Sequence, residues 1–242
     1  MRYIVMHKAD AYIESGAPAK PDIIEKMGAL VQESLKSGVF TNGAGLHRSA
    51  LRARLRCHSG DCTVTRGPYA GENELVASMA MISAKSMDAA IGHAQTLAQS
   101  LGDCEIEIGP VVEPWDLGLM PKPEGNRPER FLLLCKAQGG DEATSAAKQG
   151  AAFKKLAESF QNDAALLSAE TLGPSSTGSR LPAGPKGKRT WVDGPFAESK
   201  ELISGFSLLS LPSKADAIAW ANRYAAILGD DNEVDVRELS DG

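Results

Sequence analysis

The feature that most constrains this chain is a repeat. Trp191-Val-Asp-Gly-Pro-Phe-Ala-Glu-Ser-Lys-Glu-Leu202 has a worn copy at Val64-Thr-Arg-Gly-Pro-Tyr-Ala-Gly-Glu-Asn-Glu-Leu75. Gly67, Pro68, Tyr69, Ala70, Glu74 and Leu75 match Gly194, Pro195, Phe196, Ala197, Glu201 and Leu202 at one constant spacing. A chain of 242 residues that repeats itself once in this way reads as two units of one design, over 1–115 and 130–242. Between them, 116–129 lies in a stretch carrying Pro114, Pro121, Pro123 and Pro128, with no hydrophobic period, and reads as a stiff, extended linker.

Both units run through the same elements. Tyr3-Ile-Val-Met-His-Lys8 and Arg130-Phe-Leu-Leu-Leu-Cys-Lys136 are β-rich openings. A helix follows in each, with Ile23, Met27, Leu30 and Leu35 as the first apolar stripe and Phe153, Leu156 and Phe160 as the second. Arg52, Arg54 and Arg56 then alternate with Ala53 and Leu55, the period of a half-buried strand, and Ser59-Gly60-Asp61 turns it back. In the second unit a Gly/Ser/Pro-rich stretch stands there instead. Later strands around Met79 and Phe206 lead to helices capped by Ser86 and Ser213, and Glu105-Ile-Glu-Ile108 and Glu233-Val-Asp-Val236 close the units. The order β-α-β-(hairpin)-β-α-β is the split βαβ, ferredoxin-like plan, an α+β fold. Two such sheets cover each other as an internal pseudo-dimer, and the cleft between them is the natural place for a small-molecule ligand.

Composition narrows the partners. The net charge is −5 and the pI about 5.5, which gives no general pull toward nucleic acid or anionic lipid. No apolar run has the length of a membrane span, and the opening residues are charged too soon for a signal peptide, so the expectation is a cytoplasmic protein. Cys57-His-Ser-Gly-Asp-Cys62 puts metal donors at both ends of a short segment. Structural zinc takes four ligands, only three are in sight, and the second unit has no counterpart, so a plain hairpin tip is preferred and no metal is expected.

Asp193-Gly-Pro-Phe-Ala-Glu-Ser-Lys-Glu201, the opening Arg2-Tyr-Ile-Val-Met-His-Lys-Ala9, Gly45-Leu-His47 and Glu105-Ile-Glu-Ile-Gly-Pro110 together resemble the YCII-related, DGPF-domain family. The resemblance spans both repeats. It implies ferredoxin-like units paired into a dimeric α+β barrel, here within one chain, with further pairing of whole chains into a homodimer left open. Some relatives in the wider superfamily are lyases or isomerases of aromatic and lactone substrates that use neither metal nor organic cofactor. Short relatives are associated with a His–Asp pair whose histidine lies on the first helix. Neither 20–36 nor 143–160 contains a histidine, so that pair does not carry over. The motif aspartate is kept at Asp193 and is Arg66 in the first copy.

Candidate residues follow from placement. Asp193 is either a turn residue bonding nearby N–H groups or a catalytic carboxylate. His47, on a glycine-loosened segment with Gly173 opposite it in the second copy, is the best-placed histidine for proton transfer. Glu74 and Glu201 share a register, and Lys8 and Lys136 match at strand ends. With Arg66 and the sheet-face His7, these could line a substrate site. The arginines of 48–66 lack interleaved aromatics and read as a charged outer hairpin face that blunts an edge. Two functions are therefore weighed. One is a cofactor-free proton-transfer enzyme, isomerase or lyase in type, using Asp193 and His47. The other is a non-catalytic ligand-binding or regulatory module.

Overall fold

The computed structural model describes residues 1–72, 75–125, 127–137, 142–160, 165–185, 188–196 and 202–240. The first repeat supplies β1 (Arg2–Lys8), α1 (Ala11–Ser15), α2 (Pro21–Lys36), β2 (Phe40–Leu46), β3 (Ala53–His58), β4 (Asp61–Arg66), β5 (Val76–Ala84), α3 (Met87–Leu101) and β6 (Cys104–Val112). The second supplies β7 (Glu129–Lys136), α4 (Glu142–Ser159), β8 (Ala165–Leu172), β9 (Ser179–Leu181), β10 (Val192–Asp193), β11 (Ile203–Ser210), α5 (Lys214–Leu228) and β12 (Val234–Ser240). Sequence dictates the helix ends. Pro21 opens α2, and the Ser86 and Ser213 hydroxyls accept from Ala89 N and Asp216 N to start α3 and α5. The short α1, capped by Asp10, had no apolar period to announce it.

Eight antiparallel strands close into a barrel in the order β1-β11-β2-β6-β7-β5-β8-β12, with β12 returning to β1. Two of the joints are only two residue pairs long: Gly45 and Leu46 against Val112 and Val111, and Thr171 and Leu172 against Ser240 and Leu239. These short seams divide the barrel into two four-stranded sheets, β2-β11-β1-β12 and β8-β5-β7-β6. Each sheet has the ferredoxin-like order, yet neither is one repeat. In each sheet strands of the two copies alternate: β2 and β1 with β11 and β12, and β8 and β7 with β5 and β6. Thus β7 lies between β5 and β6, and β1 between β11 and β12. This corrects the expectation that each unit closes its own sheet. The physical reason is local: after β6 the chain does not run out as an extended spacer but folds over 113–119 into tight turns, such as Leu119 N to Pro114 O. It sets β7 down antiparallel beside β6.

Three apolar layers result. Helices α3 and α4 cover the β8-β5-β7-β6 sheet over Leu55, Ile82, Ile106, Leu133 and Phe153. Helices α2 and α5 cover the other sheet over Tyr3, Val5, Trp220 and Tyr224. The lumen is filled by Ile4, Met6, Met79, Met81, Leu132, Leu134, Phe206 and their neighbours. Each such side chain, fully buried, contributes about 1.5–3 kcal/mol. A ligand in mid-lumen would have to displace several, so the expected cleft between the sheets is occupied by the protein's own core.

A candidate functional site at one end of the barrel

The lumen-facing rows change character at one end of the barrel, where β1 and β7 both finish, and it opens there in two places across the barrel axis, a first mouth beside β7 and a second beside β1. After Leu132 and Leu134 comes Lys136, and before Val111 come Glu107 and Gly109. Arg52 and Arg54 lean in from the hairpin side. At this first mouth Arg52 Nη1 donates to Glu107 Oε1 at 2.7 Å, and Arg54 and Lys136 stand 3.6 and 3.7 Å from Glu107 Oε2. Glu107, Arg52, Arg54 and Lys136 are all buried. The second mouth repeats the plan after Ile4 and Met6. Lys8 Nζ is 3.5 Å from Asp235, and Arg180 grips both Asp235 oxygens at 2.6 and 2.9 Å. Burial pushes the carboxyl pKa of Glu107 and of Asp235 up, but the facing cations (Lys136 and Arg52, Lys8 and Arg180) outweigh it and hold both below their ordinary values. Burial likewise lowers Lys8.

The Gly-Pro-aromatic motif is what roofs these mouths. Tyr69 lies over the Arg54 guanidinium at 4.3 Å and Phe196 over that of Arg180 at 4.4 Å. Gly67 and Gly194 press on the carbonyls of Ser49 and Ser175, where a Cβ would sit far inside the 3.0 Å that real Cβ atoms keep. Those serines open matching 3-10 turns, Ser49–Leu51 and Ser175–Thr177, tied down by Glu14 and Glu142.

One exchange between the halves stands out. Arg52 sits over Gly109, and Arg237, at the register of Gly109 on β12, sits over Gly178, at the register of Arg52. Arg52 donates to the carbonyls of His47 and Ile203; Arg237 donates to those of the matching Gly173 and Val76. The same guanidinium position is thus filled from opposite strands. The match ends at the outer nitrogen. Arg237 Nη2 reaches Glu142 at 2.8 Å, whereas among the described residues buried Arg52 Nη2 has no hydrogen-bond partner, nor does Glu107 Oε2.

The expected catalytic pair is not brought together. Asp193 is exposed at the second mouth and accepts from Ser179 Oγ at 2.6 Å and Lys214 Nζ at 2.9 Å, which together lower its pKa. Arg66 pairs with Asp88 in the first turn of α3, an ion pair of opposite polarity one helix position further on. Both are therefore anchors of the motif strand to a helix start, which accounts for Arg66 standing in for the aspartate. His47 lies at the first mouth with Nε2 3.2 Å from Asp116 Oδ2 of the connecting segment. Lys8 and Lys136 are internal ion-pair partners, and Arg52 and Arg54 are buried, which corrects the outer-face reading for those two: β3 is covered on both faces at its start, by the lumen and by α3, while Arg56 nearer the hairpin stays exposed. Glu74 and Glu201 lie outside the described residues. The inward acids Glu107 and Asp235 were passed over, although both copies repeat them in alternation with Ile and Val.

His7 faces α5, not the lumen; the Tyr224 hydroxyl lies 2.7 Å from its Nδ1, and burial lowers its pKa to about 4. Its folded pKa lies below the unfolded 6.5, so the unfolded chain binds the extra proton between those values, and stability falls as pH drops through that window. We expect a loss of about 3 kcal/mol from this residue between pH 7 and pH 4. Urea unfolding at both pH values should show a smaller loss in His7→Gln; an equal loss would remove His7 as its source.

Cys57 and Cys62, facing each other across β3 and β4, are joined as a disulfide, which takes both sulfurs from any zinc reading. The cysteine part of the cytoplasmic expectation then rests on Cys104 and Cys135 alone. No helix among the described residues is long and apolar enough to cross a membrane.

With this geometry in place, comparison with known families gives one match, the YCII-related domain, over residues 130–240. Residues 130–240 are a YCII-related domain. The match begins at β7 and runs through β12, so the YCII-related sequence unit supplies two strands to each sheet. No curated protein and no solved structure matches the chain.

Proposed function

We propose that this protein, built as a duplicated YCII-related unit with exchanged strands, is a binding module for a small molecule carrying a carboxylate, held at the first barrel mouth by Arg52. The observation that carries the reading is the lone Arg52 Nη2. Glu142 holds Ser175 and also accepts from Arg237 Nη2, whereas Glu14, which holds Ser49 in the same way, accepts nothing from Arg52 Nη2. Leaving a buried donor unpaired costs about 1–3 kcal/mol, which a ligand carboxylate recovers. The filled lumen and the anchoring role of Asp193 weigh against a catalytic cleft between the sheets.

Thermal unfolding with a panel of mono- and dicarboxylates tests this. Wild type should be stabilised by about 2.7 kcal/mol at a hundredfold excess over Kd. Arg52→Lys should lose that gain, and Arg237→Lys, folded but less stable, should keep it. A gain that survives in Arg52→Lys, or none across the panel, overturns the reading.

A second reading is favoured by the His47–Asp116 contact beside the Arg52 anchor: proton transfer by His47, oriented by Asp116, on the bound acid. It predicts that His47→Gln keeps the carboxylate stabilisation and abolishes turnover. Turnover that persists in His47→Gln sinks it.

A further inference from the structure

All four cysteines of the chain lie on neighbouring strands, in the order β4, β3, β6, β7. Cys62 is the cross-strand partner of Cys57, and Cys57 is in turn the partner of Cys104 on its other side. Direct cross-strand partners project to the same face of a sheet. Cys57 and Cys104 both belong to the core beneath α3, so three sulfurs form a row with Cys57 in the middle. Antiparallel partners have Cα atoms about 4.5–5.5 Å apart, within the roughly 4.4–6.8 Å that a disulfide accepts. The two possible bonds of Cys57 are therefore both within reach.

The row also has the right order for chemistry. Thiol–disulfide exchange proceeds by attack of a thiolate on one sulfur while the other leaves. With Cys57 bonded to Cys62, Cys104 stands on the side opposite the leaving sulfur. The hairpin tip is held there by Asp103, next to Cys104 in sequence, which accepts from Ser59 N at 2.8 Å and lies 2.8 Å from His58 Nδ1. A groove of about 190 Å³ between α3 and α4, lined by Leu101, Asp103, Lys148 and Gln149 among others, opens onto Cys104.

We propose that Cys62, Cys57 and Cys104 form an internal thiol relay that moves a reactive thiol from the core to the surface. The Cys104 thiolate attacks Cys57 Sγ, the Cys57–Cys104 bond forms, and the Cys57–Cys62 bond breaks. The electron pair leaves on Cys62, which takes up the proton that Cys104 released. One disulfide is consumed and one is made, so no outside oxidant or reductant enters. Every residue of β4 is exposed, so the freed Cys62 becomes a surface nucleophile open to small-molecule disulfides. Burial, with Asp103 beside it, lifts the Cys104 thiol to about 11, so the relay is slow at neutral pH and quickens as pH rises.

The test is peptide mapping of the intact chain without reductant, after incubation at a pH of about 9.5 with iodoacetamide, where a small thiolate fraction of Cys104 exists. Circular dichroism confirms that the fold persists. Wild type and Cys135→Ala should yield a Cys57–Cys104 linked peptide together with alkylated Cys62, and Cys104→Ala should yield neither. The proposal is overturned if wild type keeps Cys57–Cys62 with Cys62 unlabelled. Cys62 labelled without the Cys57–Cys104 peptide, or labelled equally in Cys104→Ala, also overturns it.

Discussion

Gly194→Ala is expected to destabilise the protein by roughly 3 kcal/mol or more, and Gly67→Ala by a similar amount. In both places the added methyl would land on a backbone carbonyl oxygen, that of Ser175 or Ser49. Neither carbonyl is free to retreat. Ser175 is held through its N–H and hydroxyl by Glu142, and Ser49 in the same way by Glu14. The motif loop must then lift, taking Phe196 off Arg180 or Tyr69 off Arg54 and letting water reach the mouth beneath. Gly28→Ala is the control. It lies inside α2 with nothing within 4 Å of the new methyl, and should stabilise by about 0.5–1 kcal/mol. Urea midpoints of the three variants decide it, and a Gly194→Ala protein as stable as wild type would mean that the loop does not dock this way.

Much of this fold was legible. The helix starts at Pro21, Ser86 and Ser213, the hairpin at Ser59 and the mixed α+β order of elements all follow from residue pattern. The strand exchange did not, because β1 and β7 carry the same apolar alternation and either suits the slot between β5 and β6. Nothing in a strand's own residues names its neighbour; the turns at 113–119 decide it. The buried charges were misplaced for a related reason. An alternating Arg/apolar strand ordinarily puts its arginines in water, and only barrel closure turns that face inward. Even so, Arg52 paired with Gly109 and Gly178 paired with Arg237 is a complementary swap visible in the two copies once their registers are aligned.

That swap also limits what the motif can mean for function. The aspartate of the second copy and the arginine of the first each tie the motif strand to a helix start, with opposite charge. What distinguishes the two mouths is deeper, in the carboxylates available to each guanidinium. The proposed carboxylate site therefore rests on Arg52 and its surroundings, not on Asp193.

Glu107→Ala is expected to cost about 3–5 kcal/mol, since it leaves the buried Arg52 guanidinium without the carboxylate it contacts. Asp235→Ala should cost less. At that mouth Arg237 keeps Glu142, and Arg180 keeps Glu233 at 3.2 Å. The pH dependence separates charge from packing. The folded Glu107 pKa lies below its unfolded 4.5, so its contribution is fully present above that value and disappears as pH falls through the folded pKa. Wild type should lose this contribution on the acid side, and Glu107→Ala, having none to lose, should show a shallower acid slope at a lower overall stability. Urea unfolding across that range measures both. If Glu107→Ala unfolds within about 1 kcal/mol of wild type, the ionic cluster at the first mouth is wet or loosely held, and the anchor assigned to Arg52 goes with it.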